Sequence, residues 1–242
     1  MCHPWIAAGV TAFLVTQAVR ELRPVLTASA EDDGPAHAGL LGARLRRWFR
    51  SRMEPLADAL LRLGMTADRV TLSQLLVSVL CGAAYAAGWV FTAGCLLIGS
   101  GTLDVLDGTM ARKTGPTTAR GAFFDSVVDR YGEGAVFVGL AALFREGAML
   151  WVVLLAAFGS FMVSYARARA EALGADCSVG LMQRPERYVL LGAGSVLGVL
   201  LAHLTCRPAR ATAVLAMSVA LVAVLANATA LQRAVFALRR LA

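Results

Sequence analysis

Between residues 70 and 236 apolar positions run on so continuously that the one-sided pattern of a soluble helix is lost. Crossing a hydrocarbon core takes roughly twenty apolar residues. Six runs approach that length, at 70–90, 92–111, 119–144, 149–170, 187–205 and 212–236, separated by short polar breaks. The pattern predicts an all-α membrane protein whose residues 70–242 form a six-transmembrane-helix bundle. The third run carries charges near its start, so its first turns are expected to project beyond the hydrocarbon.

Upstream the periodicity becomes helical. Leu45, Trp48, Phe49, Met53, Leu56, Leu60 and Leu63 recur at intervals of three and four with arginines between them. That spacing predicts an amphipathic surface helix over 43–63, lying on the cytoplasmic leaflet and bent at Pro55. With the turn that follows, it makes a juxtamembrane unit spanning 43–69. Residues 1–42 form an N-terminal extension whose structure the pattern leaves open. Trp5 to Val19 is apolar but short and has no basic stretch before it, which is poor signal-peptide grammar. Residues 31–39 read as a polar linker.

Composition agrees. A chain that is 58% hydrophobic, with a mean hydropathy of +0.65, is too apolar for an ordinary soluble domain. The net charge of +7 is distributed by side. Arg44, Arg46, Arg47, Arg50, Arg52, Arg62 and Arg69 precede the first span. Arg112, Lys113, Arg120, Arg167, Arg169, Arg184 and Arg187 fall in alternate loops, and Arg233, Arg239 and Arg240 close the chain. The opposite side has Arg145, Arg207 and Arg210. By the positive-inside rule the first group faces the cytoplasm, in a multi-pass protein of the inner membrane. The charge thus reads as topology and anionic-lipid contact, and no nucleic acid is needed to explain it. Five cysteines without a CxxC pair indicate neither a disulfide framework nor a zinc site.

Four carboxylates break the apolar pattern where they are most costly. Asp104 and Asp107 are three positions apart, Asp125 and Asp129 four, so each pair shares one face of its helix. Ionisable clusters at membrane depth mark function far more often than structure. Two such faces meeting would form an oxygen-rich cage suited to a hard divalent cation such as Mg²⁺. Neutralisation by Arg112 and Arg130 is the structural alternative.

The surrounding residues narrow the choice. From Asp104 the chain follows D-x2-D-G-x2-A-R-x8-G-x3-D-x3-D, filled by Asp104, Asp107, Gly108, Ala111, Arg112, Gly121, Asp125 and Asp129. This frame resembles the signature of the CDP-alcohol phosphotransferase family of membrane enzymes, also called CDP-alcohol phosphatidyltransferases. The resemblance implies Mg²⁺-dependent transfer of a phosphatidyl group from CDP-diacylglycerol to a polar alcohol or its phosphate, with release of CMP. It also implies a homodimer and two divalent ions per site, Mg²⁺ or Mn²⁺. By resemblance Asp104, Asp107 and Asp125 are metal ligands. Asp129 is the general base toward the acceptor hydroxyl, a further ligand, or both. Gly108, Ala111, Arg112 and Gly121 are implied to hold the donor, although small residues alone also serve helix packing. Gly64 to Thr71 resembles the family's turn before the first span, which adds Asp68 and Thr71 as cytidine contacts. Ala67 and Asp68 stand where a proline and an asparagine are usual.

Ser164, Arg167, Arg184 and Arg187 look like the acceptor-phosphate residues of the prokaryotic branch that uses inositol phosphate, and guanidinium forks suit phosphate oxygens. Two departures keep glycerol 3-phosphate and free inositol as alternatives. Arg167 stands where lysine is expected, and the last span, expected to add a basic residue, offers Asn227 as its strong polar group. Glu133, one turn past Asp129, either orients a ligand or pairs with an arginine of a neighbouring helix, the structural role being preferred, and Gly192, Gly194 and Gly198 are read as points of close helix approach. A transporter or scaffold with a metal-stabilised carboxylate cluster is the alternative of another class. Such a protein has no need of the fixed aspartate–glycine–arginine frame.

Overall fold

The computed structural model describes residues 41–115 and 118–241. Residues 1–42, read as an extension, lie almost wholly outside them. The described residues form seven α-helices: α1 Gly42–Arg62, α2 Ala67–Ala86, α3 Val90–Lys113, α4 Ala119–Leu143, α5 Met149–Ala172, α6 Arg184–Leu204 and α7 Ala209–Leu241. Helix α1 runs through Pro55 as one element. The other six coincide with the six predicted runs, but hydropathy supports five crossings. Helices α2, α3, α5, α6 and α7 are long and apolar enough to span a membrane. Helix α4 carries Arg120, Asp125, Asp129, Arg130 and Glu133 and falls outside that set.

The helices pair as α2 with α3 and α4, α3 with α6, α5 with α7, and α6 with α7. Backbones approach closely where glycines allow it. A Cβ at Gly82 of α2 would overlap the Ala135 carbonyl of α4, and one at Gly139 would overlap the Gly82 carbonyl. Hydrocarbon offers no water to drive helices together, so contact at this distance substitutes for it. Gly192 faces Gly94 and Ile98 of α3, while Gly194 and Gly198 face Ser218 and Ala211 of α7.

Helix α2 also carries a buried polar stripe at helical spacing. Thr71, Gln74, Ser78 and Tyr85 are all at most 4% exposed. Ser78 shares a hydrogen bond with Ser100 at 2.7 Å, and Tyr85 one with Ser195 at 2.7 Å. These bonds satisfy hydroxyls that hydrocarbon would leave unpaired. Helix α1 docks on the same end of the bundle, packing Ala57 against Val70, Leu106 and Met110. Lys113 Nζ donates to Asp58 Oδ1 at 2.6 Å. Arg46 pairs with Glu186 and donates to Gln183 Oε1 at 3.1 Å.

Candidate active site

The site lies where the ends of α2, α3, α4 and α6 converge. Helix α3 delivers Asp104 and Asp107 from its last three turns, and α4 delivers Asp125 and Asp129 from its first three. Asp104, Asp107 and Asp125 each offer a carboxylate oxygen within 4.8 Å of the others. Three converging hard oxygen donors fit a divalent cation, and the half-buried setting limits competing water. Thr71 Oγ1 donates to Asp107 Oδ2 at 2.8 Å, with both residues 4% exposed, which fixes that carboxylate. Asp129 stands outside the trio. Its neighbours are Arg184, with which it pairs, Gln74 Nε2 at 3.5 Å and Arg130 Nη1 at 3.6 Å. Arg184 also donates to Asp104 Oδ1 at 2.6 Å, so one guanidinium joins the two aspartate-bearing helices.

Two cavities open on either side of this guanidinium. The first, about 510 Å³, lies beneath α1 between α3 and α6. Leu45, Trp48, Phe49, Ile98, Val105 and Val189 make it apolar, while Asp104, Gly108, Arg46, Arg50, Arg112 and Arg184 supply its polar groups. The second, about 330 Å³, lies among α4, α5, α6 and α7 and is cationic. Arg130, Arg167, Arg184, Arg187 and Arg233 line it, together with Asp129, Ser126, Ser164 and Glu171. Arg184 and Pro185 belong to both walls.

The residues singled out from sequence are distributed as follows. Gly108 and Arg112 line the apolar cavity, and the Arg112 guanidinium covers Gly108 while donating to Thr109 at 3.2 Å. Ala111 is half-buried on the same helix. Gly121 donates its backbone N–H to Thr118, the N-cap of α4, at 3.1 Å. Asp68 is exposed in the first turn of α2, where Thr66 supplies the cap. Ser164 and Arg167 reach the cationic cavity from α5, and Arg167 Nε donates to Glu171 at 2.7 Å. Arg184 and Arg187 reach it from the first turn of α6.

Two polar residues were missed by sequence reasoning. Arg233, one of the basic residues that close the chain, is 3% exposed within α7. It donates from Nε to Val179 O at 2.7 Å and from Nη1 to Val163 O at 2.8 Å. The last span therefore does bring a basic residue to the cationic cavity. Asn227, by contrast, is spent on the Leu155 and Ala223 carbonyls, at 2.9 and 2.8 Å. Gln74 is the second, and its spacing from Thr71 and Ser78 on one face of α2 is the sequence signal for it.

Comparison with known proteins agrees with this geometry. Residues 64–238 match the family model for CDP-alcohol phosphatidyltransferase. The archaetidylinositol phosphate synthase of Methanothermobacter thermautotrophicus is 42% identical over 158 residues, 65% of this chain and 78% of that protein. The phosphatidylinositol phosphate synthase of Mycobacteroides abscessus is 40% identical over 164 residues, 66% of this chain and 73% of that one. Among solved structures, the crystal structure of Mycobacterium tuberculosis phosphatidylinositol phosphate synthase with CDP-DAG bound has a TM-score of 0.67 at 32% identity. It covers 76% of this chain and 92% of its own. The same enzyme in complex with manganese and citrate gives a TM-score of 0.67 at 31% identity, covering 77% and 88%.

Proposed function

Because this chain belongs to the CDP-alcohol phosphatidyltransferase family, we propose that it transfers a phosphatidyl group from CDP-diacylglycerol to a myo-inositol phosphate, releasing CMP. The observation that carries this reading is the pair of unlike cavities meeting at Arg184. An apolar cavity beside Asp104 and Arg112 suits a lipid attached to a diphosphate. A cationic cavity beside Asp129 suits a small acceptor that carries its own phosphate. The relatives named as inositol phosphate synthases support the same acceptor.

Catalysis by such a site is mostly positioning and electrostatics. Asp129 takes the proton from the acceptor hydroxyl. The freed oxygen forms its bond to the phosphatidyl phosphorus as the bond to the bridging oxygen of CMP breaks. Asp104, Asp107 and Asp125 would hold a divalent ion, and Asp129, which lies outside that trio, would join as a fourth carboxylate if two ions bind. Magnesium bound there would neutralise diphosphate charge and polarise the phosphorus under attack. Arg112 and Gly108 contact the donor phosphates and nucleotide, joined by Ala111, Gly121, Asp68 and Thr71 around the cytidine. Ser164, Arg167, Arg184 and Arg187, with Arg233 added, receive the acceptor phosphate. Helix α4 supplies a sixth crossing, carrying the chain from the site to the opposite face, so that the start of α2 and the end of α7 lie on one side. That side is the cytoplasmic face of the inner membrane, and the family resemblance supports a homodimer.

The test is CMP release by purified protein in detergent with Mg²⁺ and CDP-diacylglycerol, acceptors being offered singly. Turnover is expected with inositol 1-phosphate and not with glycerol 3-phosphate, free inositol or serine. In the same assay folded Asp129→Asn is expected to be silent. Turnover only with another acceptor would retain the transferase and overturn the inositol phosphate assignment.

A further inference from the structure

One turn past Asp129 on the buried face of α4 lies Glu133, a carboxylate that the reaction above does not use. It is 2% exposed, and its Oε1 accepts from Arg187 Nε at 2.7 Å, with Nη2 of the same guanidinium also at 2.7 Å. Arg187 is 1% exposed and donates from Nη1 to the Met182 carbonyl at 3.3 Å. The guanidinium is thus held by α4 on one side and by the segment preceding α6 on the other. Arg187 lines the cationic cavity, whereas Glu133 lies behind it.

Stability is a poor reason for such a pair. Taking two charges this far out of water costs about what their attraction returns, and an apolar pair of similar volume would serve as well. Glu133 Oε2 is moreover buried without a hydrogen-bond partner among the described residues, which adds cost. The pairing has a clear geometric effect instead. Arg184 is shared between Asp129 and Asp104, and Arg167 pairs with Glu171, whereas the carboxylate partner of Arg187 is Glu133. Without Glu133, the Met182 carbonyl would be the partner left to hold the Arg187 guanidinium against the cavity.

We propose that Glu133 is a positioning residue for the acceptor phosphate, fixing the Arg187 fork at the floor of the cationic cavity. This rests on reading that cavity as the acceptor's. The first test is Glu133→Asp, which keeps the charge and shortens its reach by one methylene. The KM for the acceptor, and the Ki of inorganic phosphate as competitor, are expected to rise about tenfold, the scale of a lost charge-assisted hydrogen bond. The KM for CDP-diacylglycerol is expected to stay unchanged. Arg187→Lys, which keeps a charge and loses the fork, should give the same split, and adding Glu133→Asp to it should raise the acceptor KM no further.

A purely structural role would lower thermal stability and leave both KM values in place, so that result overturns the proposal. So does an equal rise in both KM values. Should Glu133→Asp fail to fold, Arg187→Lys decides alone: an unchanged acceptor KM overturns the proposal, and a rise confined to the acceptor supports it. Inorganic phosphate reports on the cavity whichever phosphorylated alcohol the enzyme uses, so this inference and the acceptor assignment fail separately.

Discussion

Thr71 shows how much of a membrane site can rest on one hydroxyl. Its bond to Asp107 Oδ2, at 2.8 Å, sets the direction in which a metal-facing carboxylate points. Groups of this kind, one step behind the ligands, typically change metal affinity by about 10- to 100-fold when removed. Thr71→Val keeps the shape and deletes the donor. The Mn²⁺ concentration for half-maximal CMP release is expected to rise within that range, and Thr71→Ser to restore it; an unchanged midpoint in Thr71→Val would remove Thr71 from the site. Legibility at this scale followed chemistry. Carboxylates stand out in an apolar run because they are costly there, so Asp104, Asp107, Asp125 and Asp129 were readable. Arg233 was not, because a basic residue near the end of a last span is also what the positive-inside rule supplies. Its two carbonyl partners come from α5 and the segment before α6, and only the folded chain brings them together.

Among the elements, α1 is more than a float on the leaflet. Its apolar face meets α2 and α3, and two of its ion pairs differ in kind. Arg46 reaches Glu186, whose side chain is 2% exposed, while Lys113 meets Asp58 with both side chains well exposed. Removing Arg46, whose side chain is 27% exposed, leaves the buried Glu186 charge without its partner and costs at most about 3 kcal/mol, whereas an exposed pair is worth about 0–1 kcal/mol. Arg46→Gln is therefore expected to lower the unfolding temperature in detergent clearly, and Lys113→Gln hardly at all. Because Glu186 and Gln183 flank Arg184, Arg46→Gln should also slow CMP release; equal effects of the two substitutions would show that the Arg46–Glu186 pair contributes no more than the exposed one. Long apolar runs made the helices themselves readable. Their ends were less so, because caps and loop packing set them. At 33 residues α7 is about 50 Å long, well beyond a hydrocarbon core of about 30 Å. Its extra turns receive the segment 173–183, where Met182 N–H bonds Thr229 and Cys177 packs near Phe236. Alternating close contacts such as Gly82 with Gly139 decide which helices pair, and hydropathy carries none of that information.

For the whole molecule the open quantity is direction. The functional ends of six helices gather at one end of the bundle: the starts of α2, α4 and α6 and the last turns of α3, α5 and α7. The basic residues gather there too, leaving Arg145, Arg207 and Arg210 at the other end. The charge asymmetry is what supports the proposed cytoplasmic orientation of the site, the side where cytidine nucleotides are found. The chain carries a natural reporter of the opposite face. Cys206 is exposed in the short turn between α6 and α7, next to Arg207. With Cys206 as the sole remaining thiol, a membrane-impermeant maleimide is expected to label intact cells stripped of their outer envelope. With Asp176→Cys as the sole thiol, in the exposed segment between α5 and α6, labelling should require permeabilised cells. The reverse pattern would place the carboxylate cage outside and separate it from the nucleotide pool, and the charge asymmetry would then have to be explained by contacts within the fold instead of by topology.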